Sequence, residues 1–223
     1  MAGEAVSARE AILTRIRAAQ GRQGAEPDAT QLERVRATIA RHEAGPLPGN
    51  ARNADPVAKF RAECDRVGTT HAEVGSIDAV PAEVARYLRA NNLEARVAAW
   101  HEFAELDWTA AGVAVDDRPA NPNDRTGLTG CFCTIAETGT LLLLSSPATP
   151  KVTALLPETH LCVASKSRLV NTMEDSFALL RRERGEPPRA TFFVSGPSRT
   201  ADIEQTIVIG AHGPYRVHVI LIP

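Results

Sequence analysis

Beyond residue 68 the chain alternates short apolar segments with helix-patterned ones, and this alternation narrows its fold more than any other feature. Thr69–Val74, Ala95–Ala99, Cys131–Ala136, Thr140–Ser145, Leu161–Ala164, Thr191–Ser195, Gln205–Ile209 and Arg216–Ile222 read as strands, those from Cys131 onward all short and bounded by Gly, Pro or Thr. Between them, Val80–Ala90 places Val80, Val84, Tyr87 and Leu88 at helical spacing. Asn171–Arg184 carries Glu174 and Asp175 in its first turn and Arg181, Arg182 and Arg184 in its last. Gly185 and Pro187-Pro188 follow as stop signals. Strands interleaved with helices predict an α/β fold with a mostly parallel central sheet flanked by helices. The unbroken run Leu141-Leu-Leu-Leu144 fits a strand buried on both faces.

The first third reads differently. Ser7-Ala-Arg-Glu10 and Thr30-Gln-Leu-Glu33 have the form of capping boxes, followed by Ile12 and Ile16 and by Leu32, Val35 and Ile39 at helical spacing. Gly45-Pro46-Leu47-Pro48-Gly49 cannot continue a helix. Asp55-Pro56 then starts another helix, with Val57, Phe60, Cys64 and Val67 on one face. We expect an N-terminal helical arm over 1–50 and an α/β domain over 51–223.

With 25 basic and 27 acidic residues the net charge is −2, which removes the electrostatic attraction a general nucleic-acid binder needs. No apolar run approaches the roughly 18 residues of a membrane span, and the start has no signal-peptide pattern. Four cysteines among 223 residues are too few for a disulfide scaffold, so a cytoplasmic protein is expected. The usual glycine-rich nucleotide-binding motifs and the zinc-protease and hydrolase motifs are absent. Cys131 and Cys133, two apart, would face the same side of a strand, and two thiolates do not complete a metal site. No metal and no cofactor is expected on this chain.

Ligands of open α/β sheets bind beyond the carboxyl ends of strands. Four glycine-containing turns are candidates: Gly127–Gly130, Glu137–Thr140, Ser195–Thr200 and Gly210–Pro214. In the third, a strand runs into Gly196, Ser198, Arg199 and Thr200, and Ala201–Gln205 could open a helix. Free N–H groups, hydroxyls and a guanidinium at a helix start suit a carboxylate or phosphate; a plain turn with Arg199 in solvent is the alternative. Glu137, ahead of Thr138-Gly139-Thr140, is either a base or nucleophile at the mouth of a buried strand or an acceptor for turn N–H groups. His212, on a turn between glycines, is a proton-transfer candidate or an ordinary exposed histidine.

These turns also carry a resemblance. Gly127-Leu-Thr-Gly-Cys131, Ile135-Ala-Glu-Thr-Gly-Thr-Leu141, Leu155-Leu-Pro157 with His160, Ser195-Gly-Pro-Ser-Arg-Thr-Ala-Asp-Ile-Glu204 and Gly210-Ala-His-Gly-Pro214 resemble the lactate-utilization protein C family, or LUD domain, over about residues 120–221. The resemblance implies a fold similar to the sugar-phosphate isomerase and CoA-transferase-like superfamily. It implies a subunit of an L-lactate-oxidising complex with two iron–sulfur partner subunits, binding a small carboxylate such as lactate or pyruvate and lacking a redox cofactor of its own. Glu137 and His212 would be its catalytic candidates; Thr138, Gly139, Thr140, Lys151, Gly196, Ser198, Arg199 and Thr200 would bind the anion. The chain departs from the family pattern at Pro150-Lys151, where relatives often have Gly-Arg, and Lys151 lacks the guanidinium fork. A stand-alone enzyme or binding protein for a phosphorylated or acyl-CoA substrate, centred on Glu137, is the competing reading.

Overall fold

The computed structural model describes residues 7–21, 28–43, 45–49, 52–202 and 204–223. It divides into two compact units, Met1–Pro46 and Leu47–Pro223. The boundary expected between residues 50 and 51 lies outside the described residues.

The first unit holds α1 (Ala8–Ala19) and α2 (Ala29–Arg41). Ser7 caps α1 by accepting from the Glu10 N–H. The expected capping box at Thr30 is not the start of α2: Asp28 is the N-cap and accepts from the Thr30 N–H. An Asp two residues earlier captures the free amides first.

In the second unit, α3 (Pro56–Val67) leads into β1 (Thr70–Glu73) and α4 (Val80–Ala90). Then come β2 (Arg96–Ala99), the single turns α5 (His101–Ala104) and α6 (Trp108–Ala111), β3 (Ala114–Asp117) and β4 (Thr126–Gly130). The chain continues through β5 (Cys133–Ile135), β6 (Thr140–Leu144), α7 (Val152–Leu155), β7 (Thr159–Ser165) and β8 (Leu169–Val170). It ends with α8 (Met173–Arg184), β9 (Thr191–Val194), β10 (Arg199–Thr200), β11 (Val208–Ile209) and β12 (Arg216–Ile222).

Six strands form one sheet in the order β1-β12-β7-β4-β2-β3, every pair parallel. This is the mostly parallel α/β architecture expected from the alternating pattern. A second sheet, β8-β5-β6-β9, is mixed, and β10 with β11 makes a small antiparallel ribbon. The main core packs Phe60, Val84 and Leu88 of the helices against Leu128, Leu161, Val219 and Ile220 of the central strands. A smaller core gathers Cys133, Leu142 and Leu179 around the second sheet.

Three expectations are corrected. Gly127–Gly130 is no turn: it lies in β4, fully buried in mid-sheet. Glycine is required at 127 because a Cβ there would collide with the Thr153 carbonyl of α7, so it marks a close approach rather than a bend. Ser195–Thr200 does not open a helix. Arg199 and Thr200 pair with Ile209 and Val208, and the strand expected over Gln205–Ile209 shrinks to its last two residues because Glu204 and Gln205 take left-handed backbone at φ 51° and 56°. Ile203 lies outside the described residues. Cys131 and Cys133 do not share a face either. The chain passes from one sheet to the other between them, so Cys131 borders the main core and Cys133 fills the second.

Candidate functional site

The motif turns converge on the last turn of α3. Gly139 and Gly196 both have positive φ, 61° and 82°. A Cβ at Gly139 would sit 2.7 Å from the Cys64 nitrogen, and one at Gly196 2.6 Å from the Val67 carbonyl oxygen. Only glycine meets both demands. The hydroxyls of Thr138, Thr140 and Ser195 form a chain, with Thr138 Oγ1 2.7 Å from Thr140 Oγ1 and Thr140 Oγ1 2.6 Å from Ser195 Oγ. Arg199 donates to the Val67 carbonyl at 2.9 Å, capping the C-terminus of α3 with its side chain exposed. The structure therefore brings Thr138, Gly139, Thr140, Gly196 and Arg199 together around a helix end rather than around a cavity.

The other candidates lie apart. Glu137 Oε1 accepts from the Met173 N–H at 2.8 Å, the first residue of α8, where Thr172 and Asp175 already form a capping box. Its carboxylate satisfies a free amide at a positive helix end. Ser198 joins the Gly210–Pro214 turn: its N–H donates to Pro214 O, and its carbonyl accepts from the Gly210 N–H, both at 2.9 Å. Thr200 Oγ1 accepts from the Asp202 N–H at 3.3 Å. Lys151 is exposed, with Nζ 5.6 Å from the centre of the Phe192 ring, and His212 is exposed on its turn.

A cavity of about 540 Å³ opens elsewhere, beyond the carboxyl ends of β2 and β4. From β2 the chain runs outward through α5 and α6 to edge strand β3, whereas from β4 it proceeds to β7 on the other side. Neighbouring strands whose chains leave in opposite directions create a crevice, the place where α/β sheets bind ligands. Trp100 and Glu102 follow β2, and Cys131 and Phe132 follow β4; the residues closing α8 and its exit form the facing wall.

Arg168 is locked across this space. Nε donates to the Phe132 carbonyl, a second nitrogen meets Glu183 Oε2 at 2.8 Å, and the guanidinium lies 4.7 Å from the Phe132 ring centre. The Cys131 thiol is held protonated, its pKa raised first by the hydrogen-bonded Cys162 and then by burial. Glu102 is exposed as a residue, yet packing around its carboxyl raises its pKa by desolvation. A Cβ at Gly130 would lie 2.8 Å from Glu102 Oε1, so that glycine leaves room for the carboxyl at the end of β4.

Sequence reasoning passed over Trp100, Glu102, Arg168 and Arg184. The signal for the first two was present, since both follow the strand read at Ala95–Ala99. It lost its meaning once Gly127–Gly130 was read as a turn, because the crevice exists only where β4 lies beside β2.

Among the described residues no three His, Cys, Asp or Glu side chains converge as ligands for a metal ion, and no helix is long and apolar enough to cross a membrane.

Comparison with known proteins agrees with this architecture. Lactate utilization protein C of Exiguobacterium sp. is 30% identical over 174 residues, covering 73% of this chain and 76% of that protein. The Bacillus subtilis protein of the same name is 27% identical over 188 residues, 75% of this chain and 78% of its own. The uncharacterized Neisseria meningitidis protein NMB1437 is 41% identical over 88 residues, but the match spans only 38% of that protein. A crystal structure of a DUF162 family protein from Deinococcus radiodurans shares the fold, with a TM-score of 0.53 and 22% identity over 80% of this chain and all of that one. The LUD domain model matches residues 57–222, taking in every strand of the main sheet, and the chain belongs to the LUD domain family.

Proposed function

We propose that this protein is a subunit of a system that oxidises L-lactate to pyruvate, working with two iron–sulfur subunits. The observation that carries this reading is the match to lactate utilization protein C over 73% of the chain. In the overall change lactate gives up two protons and two electrons. Iron–sulfur clusters held by the partners would accept the electrons, and this chain's part in the proposal is to bind rather than to oxidise.

What it contributes is a small-molecule site. The crevice supports this over a scaffold role, because a cavity of about 540 Å³ at a topological switch point falls within the size range of ligand sites. The Glu137-centred alternative has less to draw on, since that carboxylate is engaged by the Met173 N–H.

The test is anaerobic affinity purification of the tagged protein from its own host. The eluate is assayed for iron–sulfur absorption and for lactate-dependent dye reduction. Brown, lactate-active material resolving into this chain and two cluster-bearing partners is expected. A colourless protein with no lactate activity in the eluate overturns the reading.

A further inference from the structure

The walls of the crevice specify more than a place. Trp100, Phe132, Leu144 and Pro188 give it an apolar lining, while Arg168 and Arg184 supply guanidinium groups. Arg168 is oriented by Glu183 and the Phe132 carbonyl; the Arg184 side chain makes no hydrogen bond or ion pair among the described residues. Glu102 has no such partner there either, although its carboxyl sits against the end of β4.

Size is the decisive quantity. At about 30 Å³ per water the cavity holds on the order of 18 waters, whereas lactate has only six non-hydrogen atoms. Lactate alone leaves most of this volume unfilled.

We infer that this cavity takes a 2-hydroxy or 2-keto acid with a bulky apolar side chain, its carboxylate toward Arg184 and Arg168, its hydroxyl or keto oxygen toward Glu102, and its side chain against Trp100 and Phe132. The choice of a hydroxy or keto acid rests on the lactate reading; the carboxylate and the apolar group rest on the cavity itself. Burying an aromatic group against such walls favours the larger acid over lactate by the hydrophobic effect.

A charge relation follows. An ionised Glu102 repels the incoming carboxylate, and a protonated one accommodates it and can donate a hydrogen bond. The other charged or titratable groups around the cavity are the Arg168–Glu183 pair, Arg184, Glu186 and Cys131. Of these, Glu186 belongs to the exposed rim and Cys131 stays a thiol. Affinity should therefore weaken as pH rises through the titration of Glu102.

The experiment is a titration of the full chain with L-lactate, pyruvate and 3-phenyllactate, read by tryptophan fluorescence and calorimetry. Trp100 is one of only two tryptophans and lines the cavity. We expect 3-phenyllactate to bind at least about tenfold tighter than L-lactate. Arg184→Gln should weaken it by about tenfold, and Glu102→Gln should abolish the pH dependence while retaining binding. Gly130→Ala, whose Cβ would meet the end of the Glu102 side chain at 2.8 Å and the buried Phe103 ring at 3.3 Å, should alter the pH profile by displacing the carboxyl, with a thermal scan checking that the protein stays folded. Equal or tighter binding of lactate overturns the inference, as does silence toward all three acids. Silence with a lactate-active complex removes this inference alone; 3-phenyllactate binding without lactate activity in the complex removes the proposed function alone.

Discussion

His160 and His218 sit in the interior as neutral imidazoles, and burial holds both pKa values down to about 4. His160 Nε2 is 2.7 Å from the Thr129 hydroxyl, while its Nδ1 has no partner and is best left as the unprotonated nitrogen. His218 lies between Thr70 Oγ1 at 2.8 Å and Glu83 Oε1 at 3.2 Å and stacks on Tyr87. With Glu83 held below its usual carboxylate range, Nε2–H donates to Glu83 and Nδ1 accepts from Thr70. In the unfolded chain both histidines protonate near 6.5, and in the fold they resist down to about 4. Stability is therefore full above about pH 6.5 and is lost as pH falls toward 4, by on the order of 3 kcal/mol per histidine. Urea midpoints at pH 7.5 and 5 check this, and equal midpoints would refute it. A second expectation concerns Gly127. Its missing Cβ lets the α7 backbone lie on the central strand, so Gly127→Ala should cost about 3 kcal/mol or more in chemical denaturation. A loss below about 1 kcal/mol would show that α7 can retreat.

At the scale of elements, the residues that make the family resemblance legible are largely those that hold helices. Glu137→Ala removes one acceptor at the start of α8 and should lower stability by about 1 kcal/mol, with Glu137→Gln costing less. A catalytic Glu137 would instead show itself as a lactate-dependent rate lost in Glu137→Gln with stability unchanged. Arg199→Ala removes the clasp on Val67 and should leave lactate-dependent dye reduction intact; its abolition would return Arg199 to the substrate. Helices α3, α4 and α8 were readable because proline, charge and apolar spacing agree locally. Strands β1 and β12, neighbours in the main sheet, were readable for their alternation and apolar content. What was not readable was β4. Its two glycines signal a turn in isolation, and their reason is the α7 backbone against one and the Glu102 carboxyl against the other. Because the cavity borders β4, the site was hidden with the strand. The hydroxyl chain of Thr138, Thr140 and Ser195 was equally invisible, since it joins residues 55 positions apart.

For the whole molecule, among the described residues every buried member of the two hydrophobic cores lies between Phe60 and Leu221. A chain lacking residues 1–46 should therefore unfold cooperatively, with a midpoint within a few degrees of the full chain in a thermal scan. Loss of cooperativity would mean that the first unit supports the second. The sheet order has a further consequence, which concerns the time at which the fold becomes possible. Strand β12 lies inside the sheet, flanked by β1 and β7, yet it is formed by residues 216–222. On the ribosome, β1 emerges early and has no neighbour in the sheet until those residues follow it out. Until then its backbone edge and that of β7 are both open to foreign strands. Completion of this sheet thus waits for β12, and a stall shortly before residue 216 would release a chain whose sheet is divided in two.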